Sequence, residues 1–216
     1  LIVFQEQHVA SKDWRSLGFM TSQLNFTNKL MLKKLTTSEQ TLLFPYLKFV
    51  EEQVAMPWAR VCSKAASYQL NSEELKLVEQ MMPIASEVAQ SVYQKLIELL
   101  PNSRSRRGKL TDKGISHSCL RDLTMFQAYI LLCFLEKSLE PIQQELVPLC
   151  AMVVEGVEIK WELTQKWCEV LASEIENRLD SQQKDLLQPY TQGMKQTFFQ
   201  ERVSLGYKEQ TQANVV

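Results

Sequence analysis

The chain has 216 residues, a formal net charge of −1 and 45% hydrophobic residues. That length suits one well-filled core, and the apolar content excludes intrinsic disorder. Near-neutrality removes the footprint expected of a nucleic-acid or anionic-membrane binder, and six Gly with seven Pro leave little material for long irregular stretches.

In chain order, Leu1-Ile2-Val3-Phe4 is apolar but is followed at once by Gln5, Glu6 and Gln7, without the basic flank and sustained apolar run of a secretory signal. Residues 1–35 read as an N-terminal helical extension, regular from about Met20. Its apolar positions Phe19, Met20, Leu24, Phe26, Leu30 and Leu32 suit a dimer contact, or equally a cover for the chain's own core. The main domain is expected over 36–202, with a polar tail over 203–216. Thr36 with Glu39 spells a capping box ahead of Leu42, Leu43, Tyr46, Leu47 and Val50. Pro45 is placed to bend that helix and Pro57 to kink or end it. Asn71 with Glu74 marks a second start, before Leu75, Val78, Met81 and Met82. Pro83 interrupts, and Val88, Val92, Leu96 and Leu99 repeat at helical spacing as far as Pro101. Residues 102–118 are polar, hold Gly108 and Gly114, and read as one long loop.

A helix is expected from about Ser118 to Leu135, another opening at Pro141, and a break at Glu155-Gly156. Val157 to Leu179 is amphipathic, with Trp161 and Trp167 on its apolar stripe, which reads as core. Asp180 caps a last helix carrying Leu186, Leu187, Met194, Phe198 and Phe199. No segment alternates with period two for long enough to make a strand. The fold class is therefore all-α, with about eight helices and no internal repeat.

Little catalytic chemistry is on offer. Only His8 and His117 are present, no CxxC occurs, and neither a GxGxxG nor a GxxxxGK[ST] phosphate cradle is found. His117 and Cys119 lie two apart, a spacing that points side chains to different helix faces. The expectation is a protein that is not an enzyme and holds no metal. Five scattered cysteines, an odd number, fit reduced thiols and a cytoplasmic location better than a disulfide framework. The longest apolar run, Ala128 to Leu135, falls short of a membrane span. Arg104, Arg106, Arg107 and Lys109 form a basic cluster that either grips an anionic ligand or is simply solvated.

One segment carries more information: Ser118-Cys119-Leu120-Arg121-Asp122-Leu123-Thr124-Met125-Phe126, at the start of a helix after the long loop. The order Cys-Leu-Arg-Asp resembles the bilin-attachment segment of the phycobiliproteins, most closely the allophycocyanin type. The likeness extends over roughly residues 70 to 175, taking in Val88 to Ser103 before the cysteine and the proline-bearing turn of Pro141, Ile142 and Glu145 after it. Where typical pigments carry two tyrosines and an arginine, Met125, Phe126 and Ala128 stand here, and Arg106-Arg107-Gly108-Lys109 replaces the glycine-rich loop. The chain looks more like the divergent phycobiliprotein-related globins of cyanobacteria, the bilin-biosynthesis-associated globin group, than like an antenna subunit.

The resemblance implies a globin-like helical bundle with extra N-terminal helices, holding a linear tetrapyrrole of the phycocyanobilin or biliverdin type. By resemblance, Cys119 would attach or dock the bilin, Asp122 would face its pyrrole nitrogens, and Arg121 would clamp a propionate, with Arg106 or Arg107 assisting. At about 100° per residue, Cys119, Asp122, Phe126, Tyr129 and Cys133 share one narrow helix face, which adds Phe126 and Tyr129 to the candidate site. Arg121 lies off that face. Read without the family, Cys119 is a small buried apolar residue, Asp122 a charge favoured by the helix dipole, and Arg121 solvated. The resemblance further implies a homodimer through the N-terminal helices, and bilin-synthesis enzymes or phycobilisome components as partners. The alternative function is a pigment-free accessory protein that has kept the fold.

Overall fold

The computed structural model describes residues 23–24, 26–55 and 57–206. The expectations for Phe19, Met20 and most of the polar tail lie outside these residues. Residues 26–32 are helical, and Asn28, buried against the next helix, donates to the Leu47 carbonyl at 3.2 Å and to Glu51 Oε1 at 2.9 Å. Helix α1 spans Thr37–Ala55 and carries Pro45 inside it. Its start is the expected reciprocal cap: Glu39 accepts from the Thr36 N–H at 2.8 Å, and Thr36 Oγ1 from the Glu39 N–H at 3.4 Å. Pro57, at the N-cap, separates α1 from α2, Trp58–Ala65.

Helix α3 runs unbroken over Glu73–Leu99. Its cap is Ser72, whose hydroxyl accepts from the Leu75 N–H at 3.2 Å, while Asn71 takes a left-handed φ of 69° in the turn before it. Pro83 does not interrupt this helix. It is exposed, so its ring and missing N–H face outward, while Leu77, Val78, Met81, Ala85 and Val88 on the opposite side are buried. Burial on both sides of the proline outweighs its local cost of about 3 kcal/mol.

The expected loop contains structure of its own. Strands β1, Arg104–Ser105, and β2, Gly108–Lys109, pair antiparallel with Arg104 opposite Lys109. Arg106 and Arg107 form the turn, and Gly108 has φ of 135°. A Cβ there would stand 2.2 Å from the Asp112 carboxylate. That carboxylate accepts from the Lys109 N–H at 2.9 Å and so fastens the hairpin to the next helix. Strands of two residues carry no alternation for a sequence to reveal.

Helix α4, Lys113–Glu136, begins five residues before the expected start. From Met125 to Leu135 every residue is buried, as befits a central helix. By length and composition it would reach across a bilayer, but 72% of its most apolar stretch is packed inside the bundle. It lies against α2, α3, the π-helix described next and the last helix of the chain.

The chain then forms a π-helix, Ile142–Leu146, continuing into α5, Val147–Gly156. The Val147 N–H bonds to the Ile142 carbonyl, five residues back. Pro148 has no N–H to offer the Gln144 carbonyl, so the α-helical pattern could not be completed there. Helices α6, Trp161–Glu176, and α7, Ser181–Ser204, complete the bundle. Asp180 and Gln183 form a full capping box at the start of α7, as the sequence leads one to expect for Asp180. Trp161 and Trp167 are both core residues. Apart from the small hairpin, the described residues form an all-α protein.

Two polar ties cross the bundle. Glu174 on α6 is 3% exposed and accepts from Ser91 at 2.5 Å, from Arg178 at 2.8 Å and from Lys95. Burial alone would raise its pKa, but these three donors hold it at about 2. Arg60 on α2 grips Glu145 of the π-helix at 2.7 and 2.8 Å, and Tyr129 donates to the same carboxylate at 3.2 Å.

Candidate functional site

The candidate site is built on the first three turns of α4. The hairpin delivers the chain to this point and is held in place from two sides: the Arg106 N–H donates to the Val157 carbonyl at 2.9 Å, and Tyr93 Oη donates to the Leu110 carbonyl at 2.7 Å. Cys119 is 9% exposed. Its thiol is pushed up to about 12, first by burial and then by the Asp122 carboxylate, with the Arg121 and Arg107 guanidiniums pulling partly the other way. These four groups therefore share one electrostatic neighbourhood.

Arg121 does not remain off the face. It turns along the helix to its own neighbour, so that Nε and Nη2 donate to Asp122 Oδ1 at 2.8 and 2.6 Å. Asp122 raises the Arg121 pKa against the opposing cost of burial. Each side chain of the pair keeps 29% of its surface exposed. A carboxylate and a guanidinium are thus presented together beside the thiol, one helical turn from it.

The remaining candidates have other neighbours. Phe126 is part of an aromatic cluster, 5.9 Å from Trp167 and 5.4 Å from Phe198 between ring centroids. Tyr129 is buried and committed to Glu145, and burial followed by that carboxylate raises its pKa. Arg106 projects into solvent and approaches Glu158 only at 4.0 Å, with both side chains about two-thirds exposed.

Cys150 on α5 is the residue that sequence reasoning missed. Its thiol pKa is raised by burial, then by Asp122 and by Cys168 of α6. The same thiol adds to the rise at Tyr129. No sequence pattern announces these interactions of Cys150. In the core beyond Phe126, the Trp167 indole nitrogen is shielded from solvent and has no hydrogen-bond partner among the described residues.

A cavity of about 390 Å³ lies between α6 and α7, lined by residues such as Gln165, Cys168, Lys195 and Phe199. None of the seven expected site residues lines it. Among the described residues, no group of three His, Cys, Asp or Glu is placed to hold a metal ion.

The donor set can be compared with what a linear tetrapyrrole asks for. Its inner nitrogens need a carboxylate, its two propionates need cations, and attachment needs a thiol. Asp122, the Arg107 and Arg121 guanidiniums and Cys119 supply these chemical types in one place. The set fits in kind. The chain matches no protein-family model and has no significant match among curated proteins.

Proposed function

We propose that this chain is a non-catalytic, globin-like protein related to the phycobiliproteins, which binds or handles a bilin of the phycocyanobilin or biliverdin type. The observation that carries the reading is the grouping of Cys119, the Arg121–Asp122 pair and Arg107 at the start of the central helix. Asp122 would hold the inner pyrrole nitrogens, giving up its bond to Arg121, and the freed guanidinium would take a propionate. This exchange conserves charge pairing, since a carboxylate–cation contact is replaced by two others. Bilin-synthesis enzymes or phycobilisome components in the cytoplasm are the partners such a role requires.

The test is co-production with enzymes that synthesise phycocyanobilin or biliverdin, for the wild type and for Cys119→Ala and Asp122→Asn. A coloured product is expected, with the spectrum altered by Asp122→Asn. Zinc-enhanced fluorescence on a denaturing gel reports covalent attachment, which Cys119→Ala should abolish. A colourless protein that also fails to take up added biliverdin refutes the reading.

The low exposure of Cys119, and the engagement of Asp122 by Arg121, favour a second reading: a pigment-free accessory protein for bilin synthesis or phycobilisome assembly. Capture of a bilin reductase or a linker protein by the colourless chain would select it. In either case the apolar surface of Phe26, Leu30, Leu42, Phe44 and Tyr46, each more than half exposed, is the proposed homodimer contact. Sedimentation of only monomer at micromolar concentration would remove that part.

A further inference from the structure

We infer that the cavity between α6 and α7 is a binding site of its own, taking a small monocarboxylate with an apolar body, whose carboxylate Lys195 holds. None of the residues of the proposed bilin face lines this cavity, so the inference stands apart from the function proposed above. Near the turn that joins the two helices, buried Leu171, Ile175 and Leu187 supply apolar bulk. Farther from that turn, Gln165, Cys168 and Glu169 of α6 face Gln192, Lys195 and Phe199 of α7. Both sets recur at spacings of three and four, so each forms one stripe on its helix. Between the stripes a thiol and one ring stand where a packed seam would carry leucines, and a cavity of about 390 Å³ results.

Size and charge select the occupant. At about 30 Å³ apiece the cavity holds roughly a dozen non-hydrogen atoms, the small end of the range for ligand pockets. Cys168, 1% exposed, closes the inner side, half-buried Phe199 flanks it, and exposed Gln196 and Gln200 rim the mouth. An apolar body suits the thiol and the ring. Of the two charges in the lining, Glu169 is already matched, since it accepts from Lys166 at 2.9 Å and from Gln165 at 3.4 Å. Lys195 makes no ion pair or hydrogen bond among the described residues. Gln192 lies three residues before it on the same face of α7, so an amide N–H and an ammonium can converge on one carboxylate. The lining has no second cation. A phosphate or a dicarboxylate would leave a charge unmatched beside Glu169, whereas a single carboxylate would not.

The experiment is isothermal titration with 2-naphthoate, a carboxylate of this size, and with its uncharged analogue 2-naphthamide, on the wild type, Lys195→Met and Cys168→Leu. The wild type should bind 2-naphthoate saturably and 2-naphthamide about tenfold more weakly. Lys195→Met should weaken 2-naphthoate about tenfold and leave 2-naphthamide unchanged. Cys168→Leu, which fills the inner side, should remove binding of both. Absence of saturable binding to the wild type overturns the inference, as does equal affinity for the two compounds or a 2-naphthoate affinity that Lys195→Met does not change. In ¹⁵N-labelled wild type, the Gln192 side-chain amide signal should move on adding 2-naphthoate. Movement confined to helices other than α6 and α7 overturns the inference even if the substituted proteins fail to fold. None of these readings depends on whether the chain takes up biliverdin, so this inference and the proposed function fail separately.

Discussion

Glu174→Gln isolates the tie between α3 and α6. The Glu174 carboxylate is nearly inaccessible, and its pKa of about 2 compares with 4.5 for an ordinary glutamate. That difference corresponds to about 3 kcal/mol of stability at neutral pH. Because the folded-state value is the depressed one, this contribution is whole above pH 4.5 and drains away as the pH falls toward 2. Glutamine retains the shape and one acceptor but has no charge to offer Lys95 and Arg178. Unfolding of wild type and variant should therefore differ by about 2–3 kcal/mol at pH 7, roughly 4–12 °C in midpoint for a chain of this size. The gap should close between pH 4.5 and 2. Urea denaturation followed by far-UV circular dichroism at a series of pH values measures both quantities. A gap below about 0.5 kcal/mol at pH 7, or one that stays constant down to pH 2.5, would show that the three donors do not act as described.

Three further outcomes are expected. A thiol at about 12 in place of 9.0 holds roughly a thousandfold less thiolate, so iodoacetamide at pH 8 should label exposed Cys62 well before Cys119; equal rates by peptide mass spectrometry would contradict the buried placement. Gly193→Ala should cost about 1–3 kcal/mol in spite of the better helix former, because a Cβ there would stand 2.5 Å from Leu139 Cδ1. Adding Leu139→Ala should recover part of the Gly193→Ala penalty, and a stabilised single variant would be decisive against the packing. For Arg60 and Glu145, a double-mutant cycle of Arg60→Met and Glu145→Gln should give a coupling of about 1–2 kcal/mol; additive effects would mean the pair is not formed.

Some of this architecture was legible before any coordinates, and for local reasons. The Thr36–Glu39 box and the Asp180 cap are set by side chains that satisfy backbone donors three residues away, so short windows contain all the information. The tryptophan stripe of α6 follows from 3.6-residue spacing in the same way. Pro83 misleads because its penalty is local while the burial that outweighs it comes from other helices. The hairpin is hidden for the opposite reason, since two residues per strand are below the length of any pattern. At the site, the sequence places Cys119 and Asp122 one turn apart and the structure keeps them so. It could not show that Arg121 would fold back onto Asp122, nor that Phe126 would join Trp167 and Phe198, because those choices depend on partners from 1 to 72 residues distant.

The single extra residue accommodated at Ile142–Leu146 sets the phase of everything after it. Closing that turn as an ordinary α-helix by deleting Gln143 or Gln144, both exposed, would rotate the following helix by about 100°. A different column of α5 would then face its neighbours, α7 among them. One codon thus stands between the present lining of this face and another, with no substitution in the face itself.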